Sequence, residues 1–152
     1  MSDLAATRTA IVATLNSVAD IGQVHSYERY ARAEKDLKAL YEDEGRLQGW
    51  FVRRLSTRVI SPARGIRTVI NRWRIRGYRA LDDSVQSEIL FDATIEAIRA
   101  AFDASSTLGG VVETTHVDDL AGIQVEDSSP VMFAGVLCHG ARLALSTRHR
   151  ER

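Results

Sequence analysis

The sequence predicts an α+β domain: a largely antiparallel sheet with helices packed on one face. Three observations carry that expectation. Phe91, Ile95, Ile98 and Phe102 follow the spacing of a helix with one apolar stripe. Arg72, Trp73, Arg74, Ile75 and Arg76 alternate charge with apolar bulk, the period of two of a half-buried strand. The elements also run helix, strands, helix, strands instead of alternating one by one. The 152 residues fit a single domain over the whole chain, a size at which folding buries roughly 70% of the unfolded surface.

Ser2 or Asp3 is placed to cap a first helix running to Val18, with Leu4, Ile11, Leu15 and Val18 at helical spacing. Asp20 and Gly22 stop it, and residues 23–27 read as a short strand. Residues 33–42 set a narrow stripe of Leu37, Leu40 and Tyr41 among charges. They read as a short helix or as a mobile excursion over residues 31–45, ended by Gly45. Residues 47–60 are β-branched and aromatic and read as a strand, with Trp50, Val52 and Arg54 on one side. Residues 61–65 have turn composition, and residues 66–78 form the second strand of an antiparallel hairpin. Asp82, Asp83 and Ser84 put acid and a cap where a helix from Ser84 to Phe102 begins. Residues 105–110 read as a loop. Residues 111–117, 123–126 and 131–144 read as strands, with turns at 118–122 and 127–130. Residues 146–152 are polar and are expected to be a loose tail.

Apolar residues make up 45% of the chain and charged residues 26%, as in an ordinary soluble globular protein. Lys plus Arg is 20 and Asp plus Glu is 20. That balance excludes a globally basic nucleic-acid binder and an acidic disordered chain. Cys138 is the single cysteine, which excludes an internal disulfide and a multi-cysteine zinc site and fits a reducing compartment. No stretch approaches the roughly 18 apolar residues of a membrane span. The chain therefore reads as cytosolic, with no membrane partner.

The neutral total hides a segregated charge. Residues 46–79 contain arginines 46, 53, 54, 58, 64, 67, 72, 74, 76 and 79 and no Asp, Glu or Lys, a formal charge of +10. The other 118 residues carry 20 acids against 8 arginines and 2 lysines, which gives −10. Carboxylates elsewhere in the fold explain any single arginine simply. The whole run is harder to explain that way, because ten arginines without a local acid repel one another until a partner supplies negative charge. Arginine also favours planar, bidentate contact with carboxylate or phosphate. One partner is nucleic acid, with the Arg-rich hairpin 46–79 facing phosphates and Trp50 or Trp73 stacking on bases. The other is an acidic surface on a second copy, reached head to tail in a contact that closes into a ring when the rotation permits. Overall neutrality favours the second. Arg53, Arg64, Arg67, Arg72, Arg74 and Arg76 are the candidate protein-contact residues, with 72, 74 and 76 on one exposed strand face.

Signs of catalysis are weak, and the expectation is that the protein is not an enzyme and has no catalytic, cofactor-binding or metal site. His25, His116, His139 and His149 make no metal-ligand spacing. His116-Val117-Asp118-Asp119 reads more simply as a strand end and an acidic turn. Cys138 and His139 are adjacent, so a strand points them to opposite faces and Cys138 reads as a small buried apolar residue. Gly109-Gly110 lacks a phosphate-cradling pattern. Asp82-Asp83 and Asp118-Asp119 fit capping and turn formation. Trp50 and Trp73 read as core anchors ahead of binding platforms.

At Ile75-Arg76-Gly77-Tyr78-Arg79-Ala80-Leu81-Asp82-Asp83-Ser84, followed by Ser87-Glu88 and the helix through Phe102, the chain resembles the tail terminator (tail completion) proteins of long-tailed bacteriophages. The rest agrees in order: a first helix into Ile21-Gly22-Gln23-Val24-His25, a Trp50 strand, an Arg-rich hairpin and closing strands at 111–117 and 131–144. The resemblance implies an α+β protomer that assembles into a homo-oligomeric ring, usually a hexamer. Such a ring caps the tail tube, stops its polymerisation and presents the surface that joins the head. The implied partners are further copies of the chain, the tail tube protein and a head–tail connector or neck protein, with DNA passing through the lumen. The implied place is the head-proximal end of the virion tail, assembled in the host bacterial cytoplasm. The family carries no catalytic residues to transfer.

Overall fold

A hairpin far longer than the usual strand of about six residues organises the structure. In the computed structural model, which describes residues 3–151, β3 (Arg46–Ala63) and β4 (Ile66–Ala80) pair antiparallel over almost their whole length. They turn at Arg64-Gly65, where Gly65 takes a left-handed φ of +80°. Residues 61–63, read from composition as turn, continue the strand. The fold is α+β, with a mostly antiparallel sheet in the order β1-β3-β4-β8-β7. Here β1 is Gln23–His25, β7 is Gln124–Phe133 and β8 is Val136–Glu151. β1 runs parallel to β3, and β2 (Glu42–Asp43) folds back on the start of β3. β5 (His116–Val117) and β6 (Leu120–Ala121) form a separate ribbon.

Alternation along the strands makes two cores. Trp50, Val52, Trp73, Ile75, Ala141, Leu143 and Leu145 face α1 (Asp3–Asn16) and α3 (Ser87–Asp103). The helices answer with Ile11 and Leu15, and with Phe91, Ile95, Ile98 and Phe102, the stripe expected from the sequence. The Trp73 indole N–H donates to Thr147 Oγ1 at 3.1 Å, which satisfies its polar edge inside the core. The opposite face carries a smaller core of Tyr41, Leu47, Phe51, Tyr78 and Cys138. It is covered by Leu37 and Leu40 of α2 (Glu34–Leu40) and by Phe133, whose ring stacks on Tyr78 with centroids 3.9 Å apart. Residues 31–45, left open between helix and excursion, thus hold a short helix, and it packs on the face away from α1 and α3.

Several boundaries differ from the sequence reading, each for a local reason. Ser2 lies outside the described residues, and Asp3 is already helical. The second long helix begins at Ser87, not Ser84. A 3-10 turn at Asp83–Val85, capped by the Asp82 carboxylate on the Ser84 N–H at 3.1 Å, ends in left-handed Gln86. Of residues 111–117 only His116-Val117 is a strand, β5. The chain before it is tied into turns, with Gly110 and Val112 N–H both donating to Thr107 O, and only Thr114 bridges to β8 before the β5 ribbon. Asp118-Asp119 is the two-residue turn of that ribbon, both left-handed.

The turn expected at 127–130 is strand. β7 is the sheet edge, where Pro130 removes no ladder bond. The chain reverses instead at Ala134-Gly135, with φ of 51° and 76°, inside what reads from composition as one strand over 131–144. Finally, residues 146–151 are not a loose tail. β8 continues to Glu151 along the distal part of β4, burying Thr147 and His149 beside the larger core.

Candidate protein-contact surface

The hairpin register decides which arginines meet. Arg53 stands opposite Arg74, and Phe51 opposite Arg76, whose other cross-strand neighbour is Arg142 of β8. Arg72, Arg74 and Arg76 share the face opposite Trp73 and Ile75, as the alternation predicts. The outer face of three adjacent strands therefore carries Arg53, Arg72, Arg74, Arg76 and Arg142 beside the smaller core. Like charges opposite one another destabilise a sheet unless something compensates.

Compensation is partial and local. Glu126 of β7 reaches both Arg72 and Arg74 at 3.2 Å. Glu28 takes Arg53 at 3.2 Å. Arg76 donates from Nε to Tyr78 Oη at 2.6 Å and lies 5.3 Å from that ring's centroid. Arg142 makes no ion pair among the described residues. Burial lowers the Arg74 pKa, and Arg142, Arg72 and Arg76 push the same way against Glu126. Arg74 is only 18% exposed and its Nε is buried without a hydrogen-bond partner. The sequence reading of 72, 74 and 76 as uniformly exposed is thus corrected at Arg74, and Arg76 is half-buried too.

The six candidate arginines form two groups. Arg53, Arg72, Arg74 and Arg76 belong to the sheet face. Arg64 and Arg67 sit at the far end of the hairpin, both exposed. Arg67 meets Glu151 at 3.5 Å, while Arg64 in the turn has no ion pair among the described residues. Of the ten arginines in 46–79, those at 53, 58, 67, 72 and 74 make ion pairs within the chain. The remaining five, at 46, 54, 64, 76 and 79, make none among the described residues. Among the described residues, intramolecular carboxylates therefore neutralise half of the run. Arg79 points to the helix side, buried in register with His139, and is no part of the outer face. Arg142 was missed because it lies outside the acid-free window; the signal was its place on the outer face of the last strand.

Residues 53–63 of β3 are all exposed. β1 pairs with β3 only at Gly49, Trp50 and Phe51, so from Val52 onward the outer edge of β3 has no strand beside it. The far half of β3 is thus an exposed arm, lying along β4 residues Thr68, Val69, Asn71 and Trp73 that are buried and paired on to β8.

The histidines are used structurally. His139 Nε2 lies 2.8 Å from Ser87 Oγ, and both side chains are buried. The Asp82 N–H donates to the same Oγ at 2.8 Å. This pair ties the start of α3 to β8. His149 lies 3.6 Å from Asp3, and His25 lies 2.6 Å from Leu40 O. Cys138 packs in the smaller core, on the face away from His139, with burial pushing its thiol up to about 11. Trp50 and Trp73 are buried, so neither offers a ring to a base. Among the described residues no group of three or more His, Cys, Asp or Glu is placed to hold a metal, and no helix is long and apolar enough to cross a membrane.

Compared with protein-family models and with curated proteins, the chain matches none.

Proposed function

We infer that the protein is a structural assembly protein of a long-tailed bacteriophage virion: a tail terminator whose copies form a ring, a hexamer on the family pattern, at the head-proximal end of the tail. The ring caps the tail tube, provides the surface for a head–tail connector or neck protein and lets DNA pass through its lumen. It forms in the host cytoplasm through protein contacts, without a membrane, cofactor, metal or catalytic step. The observation that carries this reading is the basic arm. Its β3 strand is exposed from Arg53 onward with an unpaired edge, in a chain whose remaining residues hold the compensating −10. An unpaired edge of this kind is a template for another chain, and charge split between two regions of one molecule favours association with its own kind.

Light scattering after size-exclusion chromatography tests the assembly, with a discrete ring mass as the expected result. Addition to extracts that lack a native terminator tests the role, with completed tails of uniform length expected. A monomer that binds duplex DNA with steep salt dependence would replace this reading by nucleic-acid recognition through the hairpin 46–79. The burial of both tryptophans disfavours that alternative.

A further inference from the structure

Two exposed apolar patches lie at opposite ends of the long strands. One is the arm, residues 55–66, where Leu55, Val59, Ile60 and Ile66 are between 41% and 46% exposed. Val59 and Ile60 are consecutive, so they point to opposite faces, and no single neighbour within the fold covers both. The arm contains Arg58 and Arg64 and no acid, and Arg67 follows it.

The other patch is a cross-strand row at the far ends of β4, β8 and β7. The Leu81 N–H donates to Leu137 O at 3.3 Å, and Met132 stands opposite Leu137. Leu81, Leu137 and Met132 are 39%, 52% and 67% exposed. Val85 and Ile89, at 47% and 61%, flank this row on the segment that Ser87 pins to His139. The rim is acidic: residues 80–98 hold Asp82, Asp83, Glu88, Asp92 and Glu96 and no Lys or Arg. The acid-free stretch is therefore followed at once by a base-free one.

β4 separates the two patches by 15 residues, on the order of 45–50 Å at the rise of a strand. One molecule cannot close that distance on itself. The arm offers branched apolar residues beside Arg64, which has no ion pair among the described residues, while Arg58 and Arg67 already meet Asp118 and Glu151; the other patch offers apolar residues beside Asp83 and Glu88. Isolated exposed apolar residues need no explanation, but contiguous patches with charged rims mark interaction sites.

We propose that the basic arm of one copy docks on the acid-rimmed patch Leu81, Val85, Ile89, Met132 and Leu137 of the next copy, head to tail. This rests on the assembly reading above and supplies its contact. The contact is heterologous, so every copy has one arm and one socket, and a chain of such contacts closes into a ring when the rotation per copy permits. The free edge of β3 beyond Val52 adds main-chain hydrogen bonding to the docking.

Cysteine exchange tests it on the full chain. Cys138 is buried, so introduced thiols react without competition. A mixture of Ile60→Cys and Ile89→Cys chains, mildly oxidised, should give a covalent dimer, and neither variant alone should. In parallel, Arg64→Glu with Arg67→Glu should weaken association about tenfold or more, as should Asp83→Lys with Glu88→Lys. A chain carrying all four changes should recover most of that loss. Circular dichroism checks that each variant is folded, and the socket changes remain informative if the arm changes are not tolerated. Rings that persist without cross-linking, and with all charge variants fully associated, would overturn the docking and leave the assembly reading standing. A chain that stays monomeric at every concentration would overturn both. A monomer whose DNA binding disappears with the Arg64 and Arg67 changes would assign the arm to nucleic acid.

Discussion

The two halves of the β3–β4 hairpin share one ladder of backbone hydrogen bonds but not one source of stability. In the near half, Leu47 to Val52 of β3 are enclosed on both faces, with Trp50 and Val52 toward the long helices and Leu47 and Phe51 toward α2. In the far half, residues 53–63 of the same strand are exposed without exception. Backbone pairing is continuous apart from irregularities between Arg54 and Ser56 and between Ile60 and Ala63. Leu47 to Val52 are held by side-chain burial, whereas β3 beyond Val52 is held by its ladder to β4, by Thr57 Oγ1 donating to Asn71 Oδ1 at 2.6 Å and by the Arg58–Asp118 ion pair at 3.0 Å. The partner strand differs: Thr68, Val69, Asn71 and Trp73 of β4 are buried, and β8 pairs with β4 as far as Glu151.

The largest expected effect comes from the buried core face of the sheet. Trp73 is completely buried and its indole N–H is paired to Thr147. Replacing Trp73 with Ala should cost about 3–5 kcal/mol through lost transfer energy and the cavity left behind. Phe91→Ala, which removes the ring stacked on Trp50 at 5.7 Å, should fall in the same range. Denaturant titration measures both. A loss below about 1 kcal/mol, typical of surface changes, would break the contrast between the halves.

Two glycines sharpen the comparison at a smaller scale. A Cβ on Gly77 would lie 2.2–2.4 Å from ring atoms of Trp50. Gly77→Ala should therefore cost about 1–3 kcal/mol by overpacking. A Cβ on Gly65, in the turn of the arm, would meet nothing within 4 Å, and only its φ of +80° resists substitution. Gly65→Ala should cost about 1–2 kcal/mol, from the left-handed backbone alone. Replacing Gly65 with Asn, which tolerates that conformation, should recover part of the loss, while Gly77→Asn should be worse than Gly77→Ala.

The near half was legible in the sequence and the edges were not. Alternation at 72–76 and the stripe Phe91, Ile95, Ile98 and Phe102 mark elements buried on one side, where periodicity is enforced by packing. Val131 to Ala144 misled because Ala134-Gly135 does not look like a break among small residues, yet both take left-handed φ. Asp127 to Pro130 misled in the opposite sense, since turn-forming residues are tolerated on an edge strand that faces solvent. The tail was misread by polarity: Thr147 and His149 are buried polar residues that alternate with Arg148 and Arg150, a strand pattern without an apolar face. At the candidate surface, the arginine run was visible, but the pairing of Glu126 and Glu28 with it depends on register that spacing cannot supply.

The smaller core gives a pH signature that the arm lacks. Burial pushes the Cys138 thiol from 9.0 up to about 11 and the Tyr41 phenol from 10.0 up to about 12. Between the paired values the unfolded chain has released these protons and the folded chain retains them. Unfolding then releases protons, so stability falls as pH rises from about 9 and levels off above about 12. Thermal midpoints measured from pH 8 to pH 11 should decline, and Cys138→Ala should make the first part of the decline shallower. An unchanged slope in that variant would remove the thiol from the enclosed half.

The smallest expected effect on stability lies where the two halves meet. Arg53 and Arg74 face each other across the hairpin, yet Arg53 is 57% exposed and Arg74 only 18%. Reversing Arg74 would set a half-buried carboxylate beside Glu126 and damage the fold, so a loss of assembly in that variant would not report on a contact. Arg53→Glu gives up only the exposed pair with Glu28 and adds a repulsion that solvent screens. Its cost should stay within about 1 kcal/mol, measured by the same denaturant titration. If the outer face serves neighbouring subunits or the tail tube, this folded variant should nevertheless assemble poorly, because a reversed charge at a contact leaves carboxylates facing carboxylates. Normal stability with normal rings and normal tail completion would confine the contact to the arm. Normal stability with failed tail completion but intact rings would assign the outer face to the tube and leave the arm to hold the ring together.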